Sequence, residues 1–210
     1  MNETLFDRLF AELPLIAILR GVAPDECVGI GEALVAAGIR IVEVPMNSPD
    51  PLASIGRLAQ ALAGRALVGA GTVYRPDDVE AIARAGGQII VTPHTDAEII
   101  RRTRQAGLVS APGCFTPSEA AAALAAGAHI LKLFPGELVT PASVKAMAAV
   151  LPKGTRFVLV GGVSADNIAY WRGSAVHGFG IGSSLYKPGL SAQDVGLRAA
   201  DLIAAYRAGE

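Results

Sequence analysis

Short apolar runs recur along the chain, each closed by glycine or proline and each followed by a longer stretch with apolar positions at helical spacing. Leu15 to Leu19 is the first, after an opening helix over Glu3–Glu12 and a break at Pro14. Ala23-Pro24-Asp25-Glu26 opens a helix that runs to Ala37 and stops at Gly38, a helix-ending glycine. The same strand-then-helix pattern returns with strands over Arg40–Val44, Ala66–Val73, Gln88–Thr92, Leu108–Ala111, the run around Lys132, Arg156–Val160 and Gly178–Gly182. Their helices are expected over 51–63, 76–85, 96–106, 116–126, 141–150, 165–171 and 192–207. Thr116-Pro117-Ser118-Glu119 carries both the proline and the Thr-x-x-Glu of a capped helix start. Eight such units with short loops predict a (β/α)8 barrel behind an N-terminal helix, one domain over residues 1–210. A doubly wound open sheet, the other architecture built from these units, uses five or six of them at this length.

The chemistry stands out against that pattern. In His129-Ile130-Leu131-Lys132-Leu133-Phe134-Pro135-Gly136, alternation puts Lys132 on the same face as Ile130 and Phe134. A buried lysine loses part of its preference for the charged form, and the neutral amine is the species that attacks a carbonyl to form an imine. The same lysine at a strand end could instead reach its head into water. Glu43 interrupts Ile41-Val42-Glu43-Val44 in the same way. It either pairs with Arg20 or Lys132 in a structural ion pair or serves as a proton carrier beside an imine-forming amine.

In a barrel the working residues sit at the C-terminal ends of the strands. Those ends carry Arg20, Glu43, Thr72, Pro93-His94, Pro112-Gly113, Lys132, Gly161-Gly162 and Gly182-Ser183. Arg20 suits a carboxylate or phosphate, or an ordinary ion pair. Thr72 offers a hydroxyl to a substrate carboxylate or to its own turn. Gly161-Gly162 and Gly182-Ser183 form an anion nest of bare backbone N–H groups, or simply tight turns. Pro93 and Phe134 are apolar walls near the amine or plain core. His94 is a second candidate proton carrier, although a lone loop histidine is more often a bystander.

Composition narrows the classes. With 18 basic and 19 acidic residues spread along the chain, there is no electrostatic footprint for nucleic acid. Cys27 and Cys114 stand far apart, and His94, His129 and His177 lack the close spacing of a metal motif. Chemistry without metal or other cofactor is therefore expected. No apolar run reaches the roughly eighteen residues of a membrane span. The acidic start, Met1-Asn2-Glu3, differs from a secretory signal and is read as cytoplasmic.

Taken together, several segments resemble the class I aldolases that act on 2-keto-3-deoxy-6-phospho sugar acids. They are Leu13 to Gly21, Val42-Glu43-Val44-Pro45-Met46-Asn47-Ser48-Pro49, Gly69-Ala70-Gly71-Thr72-Val73, Val91-Thr92-Pro93, Lys132-Leu133-Phe134-Pro135 and Gly161-Gly162-Val163. The resemblance implies cleavage to pyruvate and D-glyceraldehyde 3-phosphate. Lys132 would form the imine, Glu43 would relay protons, and Thr72 and Arg20 would hold the acid and polyol end. The glycine turns would hold the phosphate, in a homotrimer. Within the family, the gluconate-type enzymes carry Glu-Val-Thr-Leu-Arg-Thr after the glutamate. The Pro-Met-Asn-Ser-Pro found here resembles the branch acting on the galactonate epimer. Met46 in place of the more usual leucine and His94 after Thr-Pro depart from the pattern. The gluconate or 4-hydroxy-2-oxoglutarate activity is the alternative within the family. A phosphate-binding barrel isomerase or epimerase is the alternative outside it.

Overall fold

In the computed structural model, which describes residues 2–208, nine hydrogen-bonded strand segments run parallel around one ring. They are β1 (Leu15–Ile18), β2 (Ile41–Pro45), β3 (Leu67–Gly71), β4 (Ile89–Val91), β5 (Val109–Ala111), β6 (Gly113–Cys114), β7 (Leu131–Leu133), β8 (Phe157–Val160) and β9 (Gly178–Ile181). Their order in the ladder is β5-β4-β3-β2-β1-β9-β8-β7-β6. The two ends of that ladder, β5 and β6, are halves of one strand separated by Pro112 alone. Proline has no N–H to give, so the strand is interrupted there. Its carbonyl still accepts from the Lys132 N–H at 2.9 Å, while the neighbouring Ala111 carbonyl accepts from Thr92 on the other side at 3.3 Å. The eight-stranded barrel closes through this interrupted strand, as the sequence pattern predicts.

Helices α2 (Cys27–Ala37), α3 (Pro51–Ala61), α4 (Asp78–Arg84), α5 (Ala97–Gln105), α6 (Pro117–Ala125), α7 (Pro141–Val150) and α8 (Ala192–Arg207) surround the ring, and α1 (Asn2–Glu12) precedes it. Thr116 caps α6 through its bond from the Glu119 N–H, and Glu119 reaches back to the Thr116 N–H. One expected helix is corrected. Between β8 and β9 there is only a single tight turn of helix, Ile168–Trp171, where the sequence pattern predicts a helix over 165–171. The Asn167 side chain accepts from the Ser164 N–H at 2.9 Å and donates to the Gly162 carbonyl at 2.7 Å. Those bonds fix the first half of the segment as a loop that braces the end of β8.

Two apolar layers follow from the alternation along each strand. Leu15, Ala17, Val42, Val44, Leu131, Leu133, Phe157 and Leu159 face outward into the helices. Ile16, Ile18, Ile41, Ile89, Ile130, Val158 and Val160 face inward and fill the barrel. Helix α1 closes the barrel's N-terminal end: Phe6, Leu9 and Phe10 join the inward layer. The Phe10 ring takes the space a side chain on Gly178 would need, since a Cβ there would lie 2.6 Å from its tip. Polar bonds seat the plug. Asp7 accepts from Arg156 at 2.8 Å and lies 3.3 Å from His129, and Glu3 pairs with Arg104.

Because Phe6 is wholly buried under the barrel, Phe6→Ala is expected to destabilise the protein by about 3–5 kcal/mol in urea unfolding. A loss under 1 kcal/mol would show that α1 does not plug the barrel as described.

Candidate active site

Lys132 and Glu43 both point into the barrel near its C-terminal end, and both are buried, with 5% and 2% of their surface exposed. Alternation puts them there: each occupies the inward position two residues after an inward isoleucine, Ile130 beside β7 and Ile41 in β2. The reading of Lys132 as a surface-reaching lysine is thereby excluded. So is a direct ion pair, because among the described residues neither side chain forms a salt bridge, and Glu43 Oε2 is buried with no hydrogen-bond partner.

The electrostatics follow from that dryness. Burial raises the Glu43 carboxyl from 4.5 to about 7, against the opposing pull of Lys132 and Arg20. Burial likewise lowers the Lys132 amine from its ordinary value, with Arg20 lowering it further and Glu43 opposing. Both groups move toward their neutral forms, so the interior holds a better nucleophile and a better proton donor than either side chain is in water. The Phe134 ring lies over the amine with its centroid 4.8 Å from Nζ.

Space for the carboxylate comes from β3. Gly69 pairs with Glu43 across the ladder, and Gly71 stands one inward position further along. A Cβ on Gly71 would sit 1.9 Å from Glu43 Oε2, so any side chain there would collide with the carboxylate. The chain then turns at Thr72, which has a φ of +55°. For a β-branched residue this conformation costs on the order of 1–3 kcal/mol and persists only where its surroundings enforce it. It brings the Thr72 hydroxyl to 3.3 Å from Arg20 Nη2, while Arg20 Nη1 donates to Asn47 Oδ1 at 2.7 Å. A guanidinium, an amide and a hydroxyl from the ends of three adjacent strands thus form one linked group at the rim.

Across the mouth, a cavity of about 420 Å³ is lined by Arg20, Phe134, Gly161, Gly162, Gly182 and Ser183, among others. Gly161 and Gly162 both take positive φ, +115° and +70°, a turn that other residues adopt with strain. Ser184 donates to the Val163 carbonyl at 2.7 Å and ties this turn to the one after β9. Arg20, Phe134 and the four glycine-turn residues therefore share one cavity, with Thr72 joined through Arg20. Pro93 does not line it. It follows β4 and packs against Gly113, where an added Cβ would lie 2.4 Å from its carbonyl carbon. His94 stacks on Tyr74 with centroids 4.9 Å apart and its Nδ1 is buried without a partner. Among the described residues, no cluster of histidine, cysteine and carboxylate side chains could hold a metal ion, and no helix is long and apolar enough to cross a membrane.

Gly71, Asn47 as the partner of Arg20, Asn167 and Ser184 escape a reading of single strands. Two glycines at successive inward positions beside a strand that carries a glutamate were the available sign for Gly71.

This architecture is that of a (β/α)8-barrel enzyme with its polar groups at the strand ends. The family model for KDPG and KHG aldolase matches residues 6–200, and the chain belongs to that family of carbon–carbon lyases. It is 46% identical over 197 residues to a probable 2-dehydro-3-deoxy-6-phosphogalactonate aldolase of Rhizobium meliloti, covering 94% of this chain and 93% of that one. It is 45% identical over 196 residues to the 2-dehydro-3-deoxy-6-phosphogalactonate aldolase of Escherichia coli, covering 93% and 96%. A solved structure described as native KDPGal superposes with a TM-score of 0.92 at 45% identity, covering 94% of this chain and 96% of that one.

Gly71→Ala is expected to push the Glu43 carboxylate out of its place and to cost about 1–3 kcal/mol of stability. A crystal structure of the variant with Glu43 unmoved would show that β3 leaves more room than this.

Proposed function

We propose that the chain is a class I aldolase that reversibly cleaves 2-dehydro-3-deoxy-6-phospho-D-galactonate to pyruvate and D-glyceraldehyde 3-phosphate. The observation that carries this reading is the pair of dry, oppositely tuned groups, Lys132 and Glu43, at the active end of a barrel of the aldolase family. Two relatives named for the phosphogalactonate substrate support the choice of epimer. Asn47 supports it too: it stands where the gluconate-type pattern has arginine, and it holds Arg20 at 2.7 Å.

In this scheme the neutral Lys132 amine adds to the C2 carbonyl. The carbinolamine loses its hydroxyl as water, with Glu43 supplying the proton, and leaves a protonated imine. The C4 hydroxyl then gives up its proton, the C3–C4 bond breaks, and its electron pair moves into the imine as an enamine while the aldehyde departs. Protonation of the enamine at C3 and addition of water release pyruvate and restore the amine. Glu43, near neutrality in its tuned state, can both give and take these protons. Arg20 and Thr72 are assigned the carboxylate and polyol end. Gly161, Gly162, Gly182 and Ser183 are assigned the phosphate, and Phe134 is assigned an apolar wall. No metal or other cofactor enters the scheme. We place the enzyme in the cytoplasm as a homotrimer, in which exposed Tyr74, Phe115 and Leu138 offer apolar surface to cover.

Incubation with pyruvate and borohydride, which reduces an imine to a stable amine, is expected to place one adduct on Lys132 in a peptide map and none in Lys132→Ala. An unlabelled wild-type protein would remove the imine from the scheme.

The carboxyl of Glu43 also sets a pH dependence. Between 4.5 and about 7 the folded protein keeps a proton that the unfolded chain has released. Glu43 therefore stabilises least at high pH: its contribution falls as pH rises through that window and levels off above it. Glu43→Gln, which cannot ionise, is expected to gain stability relative to wild type across the same window while losing roughly a hundredfold or more in turnover. A difference in stability that stays flat from pH 4.5 to 8 would mean that Glu43 is not desolvated.

A further inference from the structure

The turn that follows β7 brings a carboxylate to the glycine turn of β8. Glu137 lies in the short helical turn Gly136–Leu138 directly after the lysine strand. Its side chain lines the same cavity as Arg20, Lys187 and the two glycine turns. A Cβ on Gly161 would lie 2.3 Å from Glu137 Oε2, and one on Gly162 would lie 2.8 Å from its Cγ, so the carboxylate rests on the bare backbone of that turn. It takes nothing from this position. Among the described residues, Glu137 forms no hydrogen bond and no ion pair, although two cations line the cavity with it. The turn is thus kept bare by two positive-φ glycines and is then covered by a negative side chain with no partner.

We propose that Glu137 is a specificity-determining residue for the phosphorylated end of the substrate, an inference that rests on the aldolase reading and its assignment of phosphate to this turn. A phosphate dianion and the Glu137 carboxylate want the same space and repel each other. The phosphorylated aldehyde binds only after the side chain swings aside, and binds more weakly for having it nearby. An aldehyde without phosphate meets no such opposition. Glu137 therefore narrows the preference for phosphorylated over unphosphorylated aldehydes and offsets part of the attraction of the glycine-turn N–H groups and Lys187. The same repulsion keeps inorganic phosphate and unrelated phosphate esters from settling in the cavity.

The test runs the reaction in the direction of synthesis, with pyruvate and either D-glyceraldehyde 3-phosphate or D-glyceraldehyde, on wild type, Glu137→Gln and Glu137→Ala. The uncharged variants are expected to raise the ratio of kcat/KM for the phosphorylated over the unphosphorylated aldehyde by about tenfold, through KM. Inorganic phosphate, as a competitive inhibitor, is expected to bind both variants more tightly by a similar factor. An unchanged ratio with unchanged phosphate inhibition would overturn the proposal, as would weaker phosphate binding in Glu137→Gln, which would mean that the carboxylate supports the turn instead of opposing the ligand. If wild type forms the pyruvate adduct on Lys132 but phosphate competes no better in either Glu137 variant than in wild type, the imine chemistry stands and this inference fails alone. If no adduct forms, both fail.

Discussion

The structure depends on keeping two ionisable side chains out of water in one barrel interior. Moving a charged amine or carboxylate from water into such surroundings is costly unless the charges are paired and bonded. Among the described residues, Lys132 and Glu43 form no ion pair and no hydrogen bond to a side chain, so the interior resolves the cost by moving each toward its neutral form. The strength of that effect rests on what surrounds them. Inward-facing isoleucines and valines fill the barrel below, and Phe6, Leu9 and Phe10 close its far end. The helix at the opposite end of the molecule is thus part of the same apolar filling on which the two groups stand.

Space is the second constraint. Eight parallel strands leave an interior that side chains just fill, and a lysine and a glutamate from opposite parts of the wall have to fit with their aliphatic neighbours. β3 supplies the room by contributing Gly69 and Gly71 to the inward face. The next residue, Thr72, absorbs the consequence in its backbone at φ +55°. Its hydroxyl then meets the Arg20 guanidinium that Asn47 also holds. Packing in the core and polar geometry at the rim are therefore one problem, solved along one strand.

Much of this is legible in the sequence because the barrel is built from local signals. The strand-then-helix alternation, the capped start at Thr116 and the glycine stop at Gly38 each act within a few residues, and each is found in place. Lys132 and Glu43 are legible for the opposite reason: they violate an otherwise apolar alternation. What the sequence conceals depends on contacts between strands. The segment after Ala165 has a helical pattern, yet Asn167 spends its side chain on Gly162 and Ser164 and leaves only one turn. The fifth strand reads as ending at Pro112, and only the bonds on either side of it show that the ring closes there. Asn47 reads as a missing arginine, whereas in the structure it is the partner that orients another one.

The division of labour between strands and loops follows from these facts. Groups that exchange protons with substrate need fixed surroundings to keep their tuned affinities, and both candidates sit on strands, where neighbours on each side are hydrogen-bonded in register. Groups that recognise a charged end need exposed N–H groups and space, and the candidates for that task lie in the turns after β8 and β9. Those turns are still not independent of each other. Ser184 donates to the Val163 carbonyl and joins the two turns into one piece, while Asn167 braces the first of them from within through the Gly162 carbonyl. A substrate held at one end by that piece and at the other by the Arg20 group would present its middle carbons to Lys132.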